Sequence, residues 1–227
     1  MAIPENIEDI RKRITLAAEK AGRDSASVRL VAVSKTRSIS EIIDAFNAGQ
    51  SDFGENYIQE LIPKLDDIHE PVNWHVIGSL QSNKVKYIAG RVSLIHSVDR
   101  ISLAEEINRQ WQKLDKVCDV LVQVNISGES TKSGTNEDGA IQLVKGCSNL
   151  KNIRVRGLMT MPPFFDDPEK ARPYFAELRR LSETIAALEI SGVEMAELSM
   201  GMSGDFEAAI EEGATLVRIG TAIFGER

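Results

Sequence analysis

The chain has 227 residues, of which 42% are hydrophobic and 27% charged, and its formal net charge is −7. These values fit one large globular domain or two small ones, with a sizeable core, and the acidic balance disfavours nucleic acid or an acidic membrane surface as a partner. The sequence shows no signal peptide and no apolar run near the roughly 18 residues of a membrane span, so we expect a cytoplasmic protein.

Cysteines and histidines are few and scattered. Cys118 and Cys147 do not form a disulfide framework, and we predict that both are buried, reduced thiols. The three histidines show no metal-ligand spacing, so we predict no metal site.

The predicted elements begin with a helix and then alternate between strand and helix. Apolar residues recur at a helical period over residues 7–21. Short apolar runs predict strands at 28–33, 52–54, 74–78, 94–97, 120–124, 155–158, 197–200 and 216–219. Helices are predicted between them at 40–48, 58–65, 84–89, 101–114, 138–147, 168–188 and 206–212.

Short apolar strands joined by helices indicate a parallel sheet. Eight strands in about 200 residues fit a closed (β/α)₈ TIM barrel, with an open doubly wound sheet as the main alternative. Polar and glycine-rich turns follow the strands all along the chain, which favours the barrel. We therefore predict a single α/β domain over residues 1–227, a (β/α)₈ barrel with an extra N-terminal helix.

Lys35 follows the apolar segment 30–34 at the carboxyl end of the first strand. This is the end of a barrel strand at which ligands bind and reactions occur. The lysine is either a solvated surface charge or an amine that forms an imine with an aldehyde or ketone.

Two segments near the C-terminus predict a phosphate site. Residues 199–205 follow the seventh strand and residues 218–225 follow the eighth. Ser203, Gly204, Gly220 and Thr221 offer hydroxyls and accessible backbone N–H groups; the alternative is that they form ordinary turns. An amine beside a phosphate site suits pyridoxal phosphate (PLP), or a phosphorylated sugar in a Schiff-base aldolase.

Arg218 lies on the strand expected to pair with that of Lys35. Its side chain could reach a pyridine nitrogen, where most PLP enzymes have a carboxylate that keeps the ring protonated. A guanidinium accepts no proton, so the ring would stay neutral and stabilise a carbanion weakly. The alternative is a salt bridge at the barrel rim.

Six motifs carry a family resemblance over nearly the whole chain. They are VSKT at 33–36, FGENYIQE at 53–60, WHVIGSLQSNK at 74–84, RGLMT at 156–160, LSMGMSGD at 198–205 and VRIGTAIFG at 217–225. In these motifs the chain resembles the pyridoxal phosphate homeostasis proteins, single-domain relatives of the alanine racemase N-terminal barrel. The resemblance implies PLP as the cofactor, bound as an internal aldimine on Lys35.

The same resemblance implies roles for further residues. Ser203, Gly220 and Thr221 would hold the phosphate, and Arg218 would face the pyridine nitrogen. The ring would lie between Asn56 and Met159, with Ser199 lining the site.

A PLP carrier and a racemase-like enzyme are the two leading functions, with the aldolase third. A racemase needs a second acid or base, which alanine racemases take from a tyrosine of a partner's β-domain. Tyr57, Tyr87 and Tyr174 offer no evident second base, and the sequence given ends directly after the barrel. We therefore predict no catalytic residue. The favoured function is PLP (vitamin B6) homeostasis by a monomeric carrier that hands PLP to PLP-dependent apo-enzymes.

Two further residues have predicted roles outside the cofactor site. Lys132 could be a second amine or a solvated charge, and we favour the solvated charge. His75 lies within an apolar strand, so we predict a hydrogen-bonded interior residue in preference to a base.

Overall fold

The structure is a computed structural model that describes residues 2–129 and 131–226. Within these residues eight parallel strands form a closed barrel in chain order, and the last strand pairs with the first. The strands are Arg29–Val33 (β1), Asp52–Glu55 (β2), Asn73–Val76 (β3), Leu94–Val98 (β4), Cys118–Gln123 (β5), Ile153–Met159 (β6), Val193–Ser199 (β7) and Leu216–Ile219 (β8). The predicted (β/α)₈ barrel is confirmed.

Helices surround the barrel. In the described part of the chain they are Ile3–Lys20 (α1), Ile39–Asn47 (α2), Ile58–Asp67 (α3), Ile101–Gln112 (α4), Glu137–Cys147 (α5), Arg172–Ala186 (α6), Phe206–Glu211 (α7) and Thr221–Phe224 (α8). None of them is long and apolar enough to cross a membrane.

Two predicted helices differ in the structure. The connection between β3 and β4 is a 3₁₀ segment, Ser82–Tyr87, where a helix was predicted over 84–89. Val85 and Ile88 are both buried, and their spacing of three residues matches the 3₁₀ period. The predicted helix 168–188 is divided into a 3₁₀ turn, Pro168–Lys170, and α6, because Pro173 has no N–H donor and is suited to the start of a helix.

The first helix covers the place where the barrel closes. It packs against α7, α8 and α2, the helices next to the β8–β1 pair. Its buried face includes Ile7, Ile10 and Ile14. The Asn6 side chain donates a hydrogen bond of 2.8 Å to the carbonyl of Ile223, and the extra N-terminal helix is thereby tied to α8.

The barrel interior is divided between apolar and polar side chains. A buried apolar cluster contains Val31, Leu94, Leu121, Met159 and Leu216. Buried polar side chains also lie on β3, β4, β7 and β8: His75, His96, Ser199 and Arg218. Because barrel interiors are usually filled by branched apolar residues, this buried polar set needs a specific explanation.

Candidate functional site

One cavity of about 320 Å³ opens at the carboxyl ends of the barrel strands. Its volume lies at the lower end of the roughly 300–1,000 Å³ typical of small-molecule sites. Seven of the eight strands contribute to its walls, either directly or through the loop that follows. The lining residues are Val33, Lys35, Asn56, Tyr57, Ile77, Gly78, Ser79, Gln123, Ser133, Met161, Met202 and Arg218. The cavity thus combines an amine and a guanidinium with amides, hydroxyls and apolar side chains.

Lys35 lies at a turn whose backbone is held on both sides. The next residue, Thr36, has φ of 63°, a conformation that is uncommon for a residue with a Cβ, and its N–H donates to the Glu60 carboxylate at 2.7 Å. Ser38 then begins α2 with a capping box, in which its N–H donates to Glu41 at 2.7 Å. These contacts define where the Lys35 side chain leaves the backbone.

A buried ion pair supports the residue before Lys35. The Lys64 ammonium lies 2.6 Å from a Glu55 carboxylate oxygen and donates to the carbonyl of Ser34 at 2.8 Å. The Ser34 hydroxyl donates to the same Glu55 oxygen at 2.7 Å. Burial raises the pKa of Glu55, although Lys64 and Ser34 oppose the rise. The end of β1 is therefore anchored through both the backbone and the side chain of Ser34.

Arg218 brings a buried positive charge to the cavity. Its guanidinium donates to the Ser199 hydroxyl at 2.6 Å and to the Thr160 carbonyl at 2.9 Å. Burial lowers the pKa of Arg218 to about 10, with Asp205 opposing the shift, so the group stays protonated at neutral pH. Among the described residues no carboxylate lies within 4.0 Å of its nitrogens. The predicted alternative, a salt bridge at the rim, is therefore wrong.

The loop after β7 and the first residues of α8 present backbone donors at the same end of the barrel. Within the described chain the N–H groups of Ser203, Gly204, Thr221 and Ala222 donate no hydrogen bond to another protein group. Gly220 packs against the end of β1, since a Cβ there would lie 3.3 Å from the Val33 Cβ. The helices α7 and α8 have only six and four residues, so these N–H groups, more than helix dipoles, suit an anion.

The structure brings some of the predicted site residues to the cavity and leaves others beside it. Lys35, Asn56 and Arg218 line the cavity. Met159 does not, because its side chain is fully buried inside the barrel, and Met161 lines the wall in its place. Ser199 is also fully buried and lies behind Arg218. The cavity lining does not include Ser203, Gly204, Gly220 or Thr221. These residues lie within three positions of the lining residues Met202 and Arg218 along the chain.

Sequence reasoning missed several lining residues. Ile77, Gly78 and Ser79 follow β3, and Gln123 ends β5. Their position at strand ends is the signal that could have identified them. Tyr57 lines the cavity with 55% of its surface exposed, so one of the three tyrosines dismissed from the sequence does reach the site.

Four residues with other predicted roles can be compared with the structure. His75 is hydrogen-bonded and buried, as predicted. Cys118 and Cys147 are buried, free thiols, also as predicted, and burial raises the pKa of Cys147 to about 12. Lys132 differs from the prediction of a solvated charge, because its side chain is only 26% exposed and its Nζ lies 3.4 Å from the Glu129 carboxylate.

Comparison with known proteins places this geometry in a family. The profile described as "Alanine racemase, N-terminal domain" matches residues 6–227. The chain belongs to that family. It is 45% identical to the pyridoxal phosphate homeostasis protein of Aquifex aeolicus over 98% of this chain and 97% of that protein. It therefore also belongs to the pyridoxal phosphate homeostasis proteins, as the motifs indicated.

Solved structures support the same assignment. PipY of Synechococcus elongatus, solved with PLP bound, is 32% identical with a TM-score of 0.86, and the match covers 98% of this chain and all of PipY (100%). An alanine racemase of Clostridium difficile is 15% identical with a TM-score of 0.73 over 98% of this chain and 57% of its own. That second likeness shows the shared fold alone.

Proposed function

We propose that this chain binds PLP in the cavity at the carboxyl ends of the strands and acts in PLP homeostasis as a carrier, without efficient catalysis. One observation carries the proposal: Lys35 and the buried, protonated Arg218 line the same 320 Å³ cavity. The relatives named for PLP homeostasis and the PLP-bound PipY structure support it.

The residues present fit this cofactor. Bound PLP supplies an aldehyde that an amine can hold covalently, a pyridine nitrogen and a phosphate. The Lys35 Nζ would hold the aldehyde, and the backbone N–H groups of Ser203, Gly204 and Thr221 would donate to the phosphate. Of the five N–H donors of Arg218, two bind Ser199 and Thr160, which leaves donors for the pyridine nitrogen. Asn56 and Met161 would lie beside the ring.

Arg218 also supports the non-enzymatic function. A carboxylate opposite the pyridine nitrogen keeps it protonated and lets the ring withdraw electrons from a reacting carbon. Arg218 can donate a hydrogen bond to this nitrogen. Because a guanidinium stays protonated at neutral pH and accepts no hydrogen bond, the pyridine nitrogen opposite it would be unprotonated. We therefore propose that the site favours storage of the cofactor over turnover.

Visible absorbance tests the proposed binding. We expect the wild-type protein to acquire an imine band with added PLP, and borohydride to convert that bond into a stable adduct on Lys35 detectable by mass spectrometry. Lys35→Ala should lose both signals. Lys86→Ala should keep them, because Lys86 is exposed on the 3₁₀ segment away from the cavity. A wild-type protein without the band, or an adduct confined to another lysine, would contradict the proposal.

A racemase-like enzyme is the second candidate because Tyr57 reaches the cavity. Its hydroxyl is a group that could exchange a proton with a bound amino acid. We expect amino-acid racemisation far below the about 1–10³ s⁻¹ usual for enzymes. Turnover within that range, abolished in Tyr57→Phe with PLP binding retained, would make the protein an enzyme.

We also propose that the protein is a cytoplasmic monomer that delivers PLP to PLP-dependent apo-enzymes. The cavity mouth is open at Tyr57 and Met161, which are 55% and 39% exposed, and this suits release of the cofactor. Sedimentation should give the mass of one chain. A PLP-dependent apo-enzyme should regain activity when mixed with the loaded protein, and no recovery would oppose the delivery role.

A further inference from the structure

A series of polar contacts runs through the barrel interior and ends at Arg218: three are hydrogen bonds, and the fourth, between His75 and Asp52, is a 3.3 Å contact without hydrogen-bond geometry. Arg218 donates to the Ser199 Oγ at 2.6 Å, and that oxygen lies 2.8 Å from the His96 Nδ1. The His96 Nε2 lies 2.9 Å from the His75 Nδ1, and the His75 Nε2 lies 3.3 Å from an Asp52 carboxylate oxygen. All five side chains are at least nine-tenths buried. We propose that Asp52, His75, His96 and Ser199 form a one-way polar relay that positions Arg218 at the cavity.

The chemistry of the two ends gives the relay its direction. An ionised Asp52 only accepts. The proposed relay takes His75 as the tautomer with its proton on Nε2, facing Asp52, and an accepting Nδ1. The His96 Nε2 must then donate to His75, and the His96 Nδ1 accepts from the Ser199 hydroxyl. Ser199 in turn accepts from Arg218, which only donates. Each contact therefore has a defined donor and acceptor, and each of the two histidines has one tautomer.

The charge states that this direction requires agree with the environment. Burial opposes ionisation of Asp52, but His75 and Arg29 outweigh it and lower the pKa of Asp52. Burial lowers the pKa of His96 well below its ordinary value, and the charge of Arg218 acts in the same direction, so His96 is neutral. A neutral imidazole can connect an anion to a cation without adding a third buried charge.

The relay adds to what compensates the buried guanidinium of Arg218, which has no carboxylate within 4.0 Å among the described residues. An isolated buried charge costs several kcal/mol, and it is accepted only where acceptors or an opposite charge compensate it. The charge of Asp205 favours the protonated guanidinium, and Ser199 and Thr160 accept its hydrogen bonds. Asp52 lies at the other end of the barrel, where it lines a separate polar cavity of about 390 Å³ with Arg29, Asp119 and Glu197. The oriented hydroxyl and imidazoles carry its influence to Arg218.

Nitrogen NMR tests the direction without any cofactor. The chain has three histidines, so a His69→Gln variant assigns the exposed one, and long-range ¹H–¹⁵N spectra distinguish the protonated ring nitrogen. We expect both His75 and His96 to be protonated on Nε2 alone at neutral pH. A proton on Nδ1 of either buried ring would overturn the one-way relay.

Two matched variants test the effect on the site. Asp52→Asn replaces the accepting end with a group that can also donate, so an Nδ1–H population should appear on His75 or His96. PLP should bind about 2-fold to 30-fold more weakly, with a shifted absorption maximum. Asp119→Asn, in the same lower cavity but outside the relay, should change neither the tautomers nor the cofactor. Identical behaviour of the two variants would refute the relay.

A variant at the Arg218 end of the relay provides a second test in case Asp52→Asn does not fold. Ser199→Ala removes the acceptor of Arg218, and we expect the same weakening and spectral shift, with recovery in Ser199→Thr, which retains a hydroxyl. Unchanged binding and spectrum in Ser199→Ala would contradict positioning of Arg218. The measurements of PLP affinity and absorbance rest on the proposed function, whereas the histidine tautomers measured by NMR do not depend on PLP binding. Failure of the wild type to bind PLP would therefore be distinguished from failure of the relay.

Discussion

Lys35 owes its position to polar contacts of its neighbours along the chain and across β2. Ser34 is held by Lys64 and Glu55, and Glu55 has no exposed side-chain surface. A carboxylate buried to this degree is tolerated because it is paired and hydrogen-bonded. The ion pair is therefore a stability requirement located directly behind the proposed cofactor lysine.

Removal of one partner of this pair should be costly. We expect Lys64→Met to lower the free energy of unfolding by about 3–5 kcal/mol at neutral pH, since it leaves Glu55 buried without a cation. The folded pKa of Glu55 is already raised and should rise further in the variant. A raised acid pKa gives stability that is present below the unfolded pKa and lost as pH rises, so the deficit should be smaller at pH 5 than at pH 8.

Urea unfolding at both pH values measures this effect. Lys12→Met is the matched control, because Lys12 pairs with Glu8 on an exposed face of α1 at 2.7 Å, and its midpoint should not change. Equal losses in the two variants, or a deficit in Lys64→Met that falls as pH rises, would oppose this account of Glu55.

At the scale of elements, the loop between β7 and α7 carries Ser203 and Gly204 of the proposed phosphate site, and its backbone path depends on one glycine. Gly201 has φ of 91°, and a Cβ there would lie 2.6 Å from the Ala209 Cβ and 3.0 Å from the Phe206 Cα. Gly204, three residues later, has open space where a Cβ would lie. The loop therefore requires glycine at its first turn only.

These two glycines make a paired test of the loop. We expect Gly201→Ala to destabilise the protein by about 1–2 kcal/mol from the left-handed backbone alone, with a further loss from the contact with α7. Gly204→Ala should leave the unfolding midpoint nearly unchanged. Thermal or urea unfolding measures the stability of both variants. If Gly201→Ala is as stable as Gly204→Ala, the loop does not require glycine at position 201.

At the scale of the whole molecule, closure of the barrel depends on the helix that precedes it. α1 packs over α7 and α8 beside the β8–β1 pair, and ion pairs join Arg13 to Glu207 at 2.5 Å and Lys20 to Glu211 at 2.7 Å. Since these pairs are partly exposed, we assign most of the stabilisation to the buried apolar face of α1.

Truncation of that face should destabilise the entire barrel. Ile10 is 1% exposed, so Ile10→Ala should lower the free energy of unfolding by about 2–5 kcal/mol in a single cooperative transition. Leu16 lies on the same helix but is 65% exposed, and Leu16→Ala should have no measurable effect. A separate early transition in Ile10→Ala would instead show that α1 unfolds independently of the barrel.

The sequence by itself determined the order of the elements and the end of the strands at which the cofactor would bind, and it favoured a closed barrel over an open sheet. Apolar periodicity identifies strands and helices, and parallel strands place all the residues after them on one face. This is why Lys35 and Arg218 could be predicted to meet, whereas the family resemblance added Asn56; all three line one cavity.

Only the tertiary structure decided which side chains face the cavity and which face the barrel interior. Met159 points inward and Met161 lines the wall, although both follow or end the same strand. The contact between His75 and His96, and the position of Ser199 behind Arg218, depend on strand register and tilt around the closed barrel. A sequence records spacing along one strand, whereas these contacts join four different strands.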